Sequence, residues 1–497
     1  MTDVVAALIS WCSERGYWID PRIELALGPY GVAVLSKDTT IPADTILVRI
    51  PRESVLSVKS SPISALIPPH RYGRGAQLAL ALALSVELVN SATSPWSAYL
   101  ESLPRKIPGI PLFWASGAHT KNGHAREWLH RTEAGKMLFG AGDCNSALFD
   151  EIGEYFNSVA HPVYLKLFEP ATIPSLTDFY LAYALVTSRS FLVDCYHGLS
   201  MVPIADAFNH AQDNHVHLES DFDVCPECGS LQRCVHDDTA DSDMRISIPD
   251  AADNFYEMVS NLSIPPRTEV FNTYGETLSN AELLVQYGFI LEGNENDRIT
   301  WTFRDLAQFS EQHLPQPWDW RAVGGLDAFQ DLITSLIALP WAAVAESGLV
   351  YLDRTHAFCL NGDAAISHGL WLYCALLLCL RKREYSGPYS RDSVATVLDQ
   401  MLQSQLTLEL DAPPSPGDAL NMSPYGGVFE LAEVLAALCR ARMGGAPASK
   451  DLGDILDRLP NDEDVTPTRM AISLALTERS LLDSCTAAWE GLAEGQV

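Results

Sequence analysis

The stretches MVPIADAFNH at 201–210 and EVFNTYGETLSNAELLVQYGF at 269–289 carry the most information about the fold of this chain. The first is an apolar run that ends on an Asn-His pair. The second contains two tyrosines, Tyr274 and Tyr287, each followed by glycine. Between them, Ser279 and Glu282 have the spacing of a capping box, which predicts a helix start. A short strand, a turn and a helix are therefore expected here.

Outward from these stretches, β-rich and helical patterns alternate in blocks along the chain. Strands are predicted at 32–35, 46–50, 54–57, 255–259 and 269–272, with further strand texture between 199 and 248. Helices are predicted at 4–17, 78–89, 147–158, 176–186, 278–287, 326–337, 370–380, 393–402, 428–441 and 470–486. This order predicts an α+β protein with a separate helical domain after about residue 300.

The charge balance limits the partners that the protein can have. The chain holds 63 acidic and 33 basic residues, for a formal net charge of -30. Such a charge does not attract nucleic-acid phosphates, so no direct nucleic-acid partner is expected. An acidic field speeds encounter with cations, which favours a basic protein or a lysine-rich tail as partner. The alternative, that the charge only keeps the protein soluble, stays open.

Two apolar runs raise the question of a membrane. The runs at 78–89 and 370–380 are much shorter than the ~20 residues that cross a bilayer, so both predict buried helices and no membrane partner. Eleven cysteines follow a start without the basic region of a secretory leader, which favours a reducing compartment. A monomer in the cytoplasm and/or the nucleus is expected.

The segment CPECGSLQRCVH at 225–236 predicts a metal site. Cys225, Cys228, Cys234 and His236 supply four ligands of the type and spacing that tetrahedral zinc prefers. Four protein ligands leave no open position, so this zinc would be structural. The alternative is a loop with three free thiols.

The histidines near this segment offer a remote alternative. A hydrolytic metal centre would need His210, His215 and His217 to converge, with Glu219 as base. A strand places only His215 and His217 on one face, which disfavours this arrangement.

Taken together, 201–210 and 269–289 resemble the SET-domain protein-lysine methyltransferases, in particular the branch with plant Rubisco methyltransferase and the fungal ribosomal-protein methyltransferases. The resemblance implies a β-rich SET fold with a pseudo-knot, interrupted by a helical insertion and followed by an all-α C-terminal domain. It divides the chain into an N-terminal helix with the first SET half at 1–60, the insertion at 61–185, the second SET half at 186–292 with a Cys/His insertion at 219–243, and a helical substrate-binding domain at 300–497.

The same resemblance implies an activity and a cofactor. The activity is S-adenosylmethionine-dependent methyl transfer to a lysine of a non-histone protein, such as a ribosomal protein. The alternative is a catalytically inactive scaffold that binds protein partners through its helical C-terminal domain.

Roles of single residues also follow from the resemblance. Tyr274 and Tyr287 are the catalytic positions, at the methyl-transfer centre and in the wall of the lysine channel. The cofactor-binding positions, which include both tyrosines, are Gly28, Tyr30, Arg189, Asp206, Asn209, His210, Tyr274, Tyr287 and Phe289. Arginine suits the cofactor carboxylate because its donors form a fixed fork. The turn Gly28-Pro-Tyr-Gly31 departs from the Gly-x-Gly or Arg-Gly common in the family, which weakens the assignment of Gly28 and Tyr30.

Physical chemistry explains why such residues suit this reaction. Methyl transfer from a sulfonium to an amine is an in-line displacement, so the lysine must be neutral and aligned. Aromatic walls remove water, which lowers the amine pKa, and their faces stabilise a methylated cation. The alternative for each tyrosine is an ordinary packing role.

Overall fold

The computed structural model describes residues 2–28, 31–106, 109–114, 123–139, 147–220, 224–236, 254–313, 324–353, 355–381, 391–409, 423–444, 447–460 and 466–494. The chain divides into two compact units. The first comprises Met1–Phe113, Leu138–Leu278 and Leu283–Phe289, and the second comprises Trp114–Met137, Ser279–Glu282 and Ile290–Val497. The domain boundaries that the resemblance implies are not tested by this division and stay a prediction.

Short antiparallel strands form the sheets of the first unit. They are β1 (Trp18–Ile19), β2 (Ile23–Gly28), β3 (Gly31–Ser36), β4 (Ile46–Pro51), β5 (Leu56–Ser57), β6 (Ser190–Leu192), β7 (Leu199–Met201), β8 (Val216–Glu219) and β9 (Phe255–Ser260). One sheet has the order β1-β4-β9-β8, a second has the order β5-β7-β6, and β2 pairs with β3.

Helices account for most of the remaining regular structure. In chain order they are α1 (Thr2–Glu14), α2 (Gly73–Val89), α3 (Ser97–Ser102), α4 (Gly123–Leu129), α5 (Glu133–Phe139), α6 (Ala147–Tyr155), α7 (His161–Leu167), α8 (Leu176–Arg189), α9 (Asn280–Tyr287), α10 (Phe303–His313), α11 (Leu326–Ile337), α12 (His368–Arg381), α13 (Arg391–Glu409), α14 (Ser423–Met443), α15 (Ser449–Arg458) and α16 (Thr466–Glu494). The ten predicted helices are confirmed, with ends that shift by up to eight residues, as at the C-terminus of α16.

The two apolar runs form buried helices, as predicted. Residues 78–87 of α2 are buried on every side, and α2 packs against α8. Leu370–Leu380 of α12 lies in the core of the second unit. Its own Trp371 and the Trp489 of α16 are both fully buried there. A helix that is apolar all round requires such an interior position. No helix among the described residues combines the length and apolarity of a membrane crossing.

The second unit is mainly helical but also contains a small sheet. Its strands are β10 (Ile299–Thr300), β11 (Val350–Tyr351), β12 (Cys359–Leu360) and β13 (Ile366–Ser367), in the order β10-β12-β13-β11. The prediction of an all-α C-terminal domain is therefore wrong. Two-residue strands are too short to show the alternation from which a strand is recognised.

The predicted strand at 269–272 is also wrong. Glu269 pairs with Leu35, whereas Asn272 pairs with both His210 and Val216, and all three pairings are isolated bridges. No ladder forms because neighbouring residues pair with different segments. The predicted capping box is confirmed, since the Ser279 backbone N–H and hydroxyl each donate to Glu282 at 2.8 Å.

A hairpin connects α8 to the stretch 201–210. Helix α8 ends at Arg189, β6 follows at once, and β7 returns antiparallel to it with Ser190 opposite Met201. The turn between the strands is held by Asp194, whose carboxylate accepts the backbone N–H groups of Tyr196 and His197 at 2.9 and 2.6 Å. The hairpin therefore brings the end of α8 back to the start of the Asn-His stretch.

Asp194 also joins this turn to two other segments. Its Oδ2 accepts from Arg52 at 3.2 Å, from the ring of His197 at 3.0 Å and from the hydroxyl of Tyr256. Burial alone would raise the pKa of Asp194, but the hydrogen bonds from His197 and Tyr256 lower it to about 2. The folded state therefore favours the ionised carboxylate.

Replacing this buried anion tests the role of the turn. Asp194→Asn should lower the free energy of unfolding by about 3–5 kcal/mol, because the buried Arg52 guanidinium loses the negative charge of Asp194. In the unmodified protein the contribution is present above the unfolded pKa of 3.8 and is lost as the pH falls through about 2. Urea titrations across this pH range measure both effects.

The matched control is Asp38→Asn, since Asp38 also bonds an arginine but its side chain is 75% exposed. This control should change stability little, because exposed ion pairs contribute little. Equal stabilities of the Asp194 and Asp38 variants would contradict the role given to Asp194.

Candidate active site

The stretches 201–210 and 269–289 meet through the backbone. The N–H of Asn272 donates to the carbonyl of Asn209 at 2.8 Å, and its own carbonyl accepts from the N–H of Ala211 at 3.1 Å. The N–H of Tyr274 donates to Nδ1 of His210 at 3.1 Å. Because burial lowers the pKa of His210, its ring is neutral at pH 7 and carries its proton on Nε2.

Four rings converge at this junction, and they are named the aromatic cluster: His210, Tyr274, Tyr287 and Phe289. The rings of His210 and Tyr274 stack with centroids 5.2 Å apart, and Tyr274 and Tyr287 lie 4.7 Å apart. Phe289 lies 5.9 Å from His210 and 6.3 Å from each tyrosine. Residues up to 79 positions apart in sequence, His210 and Phe289, thus form one aromatic wall.

The hydroxyl of Tyr274 has the properties of a ligand-binding group. Burial raises the pKa of Tyr274 to about 12, although the nearby charge of Arg189 lowers it. The phenol is therefore neutral at physiological pH. In the part of the chain that the structure describes, this hydroxyl has no protein hydrogen-bond partner. It can donate to or accept from a bound molecule.

Tyr287 and Phe289 are positioned by a turn at the end of α9. Gly288 has φ 82°, and its N–H donates to the carbonyls of Leu283 and Leu284 at 3.1 and 3.0 Å, as at many helix C-termini. A Cβ at this position would lie 2.7 Å from the carbonyl carbon of Gly109. Glycine therefore permits both the turn and the close approach of the 109–110 backbone.

Arg189 and Asp206 form an ion pair beside the aromatic cluster. Arg189 donates to the backbone carbonyl of Asp206 at 3.1 Å and to its carboxylate at 3.4 Å. Tyr99 of α3 donates to the same carboxylate at 3.0 Å. Burial raises the pKa of Asp206, whereas the Arg189 charge and the Tyr99 hydrogen bond oppose that rise.

The backbone before Asp206 is strained. Ile204 has φ 72°, a conformation that β-branched residues rarely adopt, and the 3-10 turn Ala205–Ala207 follows it. The N–H of Ala207 donates to the carbonyl of Ile204 at 3.0 Å. Such strain persists where the surrounding structure holds it, and it is frequent at functional sites.

Gly31, at the start of β3, lies next to Arg189. Gly28 and Gly31 pair at the end of the β2–β3 hairpin, and a Cβ on Gly31 would lie 3.2 Å from a guanidinium nitrogen of Arg189. Tyr30 lies outside the described residues. Bare backbone beside a guanidinium leaves room for a carboxylate, which pairs well with arginine.

The side chain of Asn209 binds the second stretch. Its amide donates to Glu269 at 2.6 Å, so it ties 201–210 to 269–289 in addition to the backbone bonds. The structure therefore brings together Gly28, Arg189, Asp206, Asn209, His210, Tyr274, Tyr287 and Phe289. Their roles with a cofactor stay a prediction.

Tyr99 was missed by sequence reasoning. It lies in the predicted helical insertion at 61–185, far from the two stretches in sequence, and no motif surrounds it. Its hydrogen bond to Asp206 depends on the tertiary structure alone, so the sequence contains no signal for it.

The hydrolytic metal centre is not supported. Nδ1 of His210 accepts the N–H of Tyr274, and Nδ1 of His215 accepts the N–H of Phe271 at 3.0 Å. His217 binds Asn261 and Glu219. Among the described residues, the metal-ligand group that converges is the Cys/His segment at 225–236.

A cavity of about 210 Å³ belongs to the second unit. Arg131, Arg442 and Glu478 help to line it. Both carboxylate oxygens of Glu478 accept the backbone N–H of Glu133, and burial raises the pKa of Glu478. The residues that line this cavity include none of the aromatic cluster, so we assign the cavity no part in the candidate active site.

Known proteins that resemble this chain include lysine methyltransferases. No family model matches the chain. It is 27% identical over 191 residues to ribosomal lysine N-methyltransferase 3 of Saccharomyces cerevisiae. This alignment covers 29% of this chain and 34% of that protein. It is 26% identical over 310 residues to the N-lysine methyltransferase SETD6 of Bos taurus. This alignment covers 57% of this chain and 56% of that protein. The chain thus spans about half, or less, of the length of these relatives.

A solved structure shows the fold. The SET domain of LSMT bound to lysine and AdoHcy matches with a TM-score of 0.55 at 15% sequence identity, and the match covers 99% of this chain and 93% of that one. The relatives and this structure confirm the resemblance to SET-domain lysine methyltransferases and the mixed fold of strands and helices.

A single methyl group tests the packing at Gly288. Gly288→Ala should cost about 1–2 kcal/mol for the left-handed backbone and a further ~1–3 kcal/mol for the contact with Gly109. Gly16→Ala is the matched control, because Gly16 has φ 81° with nothing within 4 Å of a Cβ. Denaturant unfolding of both variants measures the difference, and equal losses would contradict the close approach at Gly109.

Proposed function

We propose that this protein is an S-adenosylmethionine-dependent protein-lysine N-methyltransferase. The observation that carries the proposal is the convergence of His210, Tyr274, Tyr287 and Phe289 beside the Arg189–Asp206 pair. The relatives that are named lysine methyltransferases support it. So does the structural neighbour that binds lysine and AdoHcy, the demethylated form of the donor.

The residues present fit the cofactor. Arg189, with its side chain only 17% exposed and next to the bare backbone of Gly31, suits the amino-acid carboxylate. Asn209 and His210 hold the adenosyl part, as the resemblance implies. When bound, S-adenosylmethionine would supply an electrophilic methyl group, whose C–S electron pair would stay with the sulfur on transfer to the amine.

The aromatic cluster prepares the lysine for attack. A lysine amine has a pKa near 10.4 in water, so most of it is charged at pH 7. Entry between these half-buried rings disfavours the charged form, and the amine gives its proton to water as it enters. The cluster also excludes water and stabilises the methylated cation on the ring faces.

Tyr274 orients the amine. Its hydroxyl remains protonated because burial raises its pKa to about 12. The hydroxyl oxygen accepts a hydrogen bond from the neutral amine, which directs the nitrogen lone pair toward the methyl group. Alignment of two reactants supplies much of the rate enhancement in such reactions. Tyr287 forms the adjacent wall, 4.7 Å from Tyr274 between ring centroids.

We also propose a substrate class for this protein. The substrate is a basic, non-histone protein such as a ribosomal protein, because the net charge of -30 attracts cationic partners.

The helices of the second unit bind that substrate, and the first unit threads one segment through a pseudo-knot, as in the family. The protein acts as a monomer in the cytoplasm and/or the nucleus, without binding nucleic acid directly.

Removal of one hydroxyl tests the chemistry. Tyr274→Phe should lower kcat by about 10²–10³-fold, because one oriented hydrogen bond to the reacting group is lost. Cofactor affinity should stay nearly constant, since the ring remains. Transfer of labelled methyl to a basic protein extract measures the rate. Tyr72→Phe, at a 60% exposed tyrosine, is the control. Unchanged turnover of the Tyr274 variant would remove this residue from the mechanism.

Calorimetry separates the enzyme from the inactive scaffold. The unmodified protein should bind one S-adenosylmethionine, and Arg189→Ala should weaken binding about 10–100-fold through loss of a charged hydrogen bond. Arg74→Ala is the control, because Arg74 also pairs with a carboxylate but its side chain is 48% exposed. A well-folded protein that binds no cofactor would favour the scaffold.

A further inference from the structure

The Cys/His segment at 225–236 has a backbone that brings its cysteines together. The N–H of Cys225 donates to the carbonyl of Ser230 at 2.9 Å, and the N–H of Gly229 donates to the carbonyl of Cys225 at 2.8 Å. Gly229 has φ 71°, which closes this turn. Cys228 therefore returns toward Cys225, and the chain then leads on to Cys234 and His236.

The four side chains meet at distances that match a metal site. One ligand atom from each of Cys225, Cys228, Cys234 and His236 lies within 4.8 Å of all the others. Nδ1 of His236 lies 3.7 Å from Sγ of Cys225 and 3.6 Å from Sγ of Cys234. Tetrahedral zinc, with Zn–S of about 2.3 Å and Zn–N of about 2.05 Å, requires S···N distances of about 3.6 Å.

Packing gives no other reason for this convergence. Within 224–236, Val224 and Cys225 are buried, whereas the remaining residues are half-buried or exposed. Val235 is 81% exposed. A short segment with so little apolar burial does not hold four polar side chains together by packing, and a bound metal is a common means of stabilising such segments.

We infer that Cys225, Cys228, Cys234 and His236 bind one Zn²⁺ that fixes this segment against the β6–β7 hairpin. A Cβ on Gly229 would lie 2.8 Å from the ring of Tyr196, so the segment contacts the turn that Asp194 holds. The hairpin leads into the stretch 201–210. The zinc is structural, because its four protein ligands leave no open position for a substrate. The site is independent of the proposed methyl transfer.

Metal content tests the ligands directly. The full chain is purified under reducing conditions, incubated with Zn²⁺ and freed of excess metal, and its zinc is measured by inductively coupled plasma mass spectrometry. We expect one zinc per chain. Cys228→Ser and Cys234→Ser should lose it. Cys195→Ser should keep it, because Cys195 is an exposed cysteine on the neighbouring turn and outside the ligand set.

A second measurement uses the unmodified chain, so its result does not depend on whether the ligand variants fold. Co²⁺ added to the unmodified, metal-free chain should give the thiolate charge-transfer band and the strong visible absorption of a tetrahedral site. Chelation should lower the melting temperature of the zinc-loaded chain. A reconstituted chain without zinc, ligand variants that retain it, or cobalt spectra without thiolate bands would each overturn the inference.

Discussion

The pairing of Asn209–His210 with Asn272–Tyr274 holds the two stretches of the candidate site together. Two backbone bonds at Asn272 and one from Tyr274 to the His210 ring join segments about sixty residues apart. These are isolated bridges rather than a ladder, so few hydrogen bonds must hold a long connection closed. Asn272 is buried, so leaving its backbone N–H or carbonyl unpaired would be costly. Without this pairing the four rings would not meet.

The surrounding elements stabilise this pairing from several sides. The hairpin at Asp194 returns Arg189 toward Asp206, and Tyr99 holds the carboxylate from α3. The backbone at Gly109 contacts Gly288 and so limits where Tyr287 and Phe289 can lie. The Cys/His segment packs on the same hairpin through Tyr196. Each support comes from a different part of the chain, so the site depends on tertiary contacts among several segments of the first unit.

The sequence predicted what depends on local pattern, and it missed what depends on tertiary contact. Helices α2 and α12 follow from apolar runs, and Ser279 with Glu282 from a short-range capping rule. The residues of the aromatic cluster were found because the motifs around Tyr274 and His210 resemble a known family. Tyr99 and the isolated bridge at Asn272 have no local signal, since only the folded chain brings their partners near. The two-residue strands of the second unit were missed for lack of length.

A crystal structure of the full chain with S-adenosylhomocysteine would show whether the aromatic cluster is the site of methyl transfer. We expect the ligand carboxylate to contact Arg189, its adenosine to lie along Asn209–His210, and its sulfur to face the Tyr274 ring. A ligand bound away from Tyr274 and Arg189, or a structure in which Asn272 and Asn209 are unpaired, would contradict this expectation.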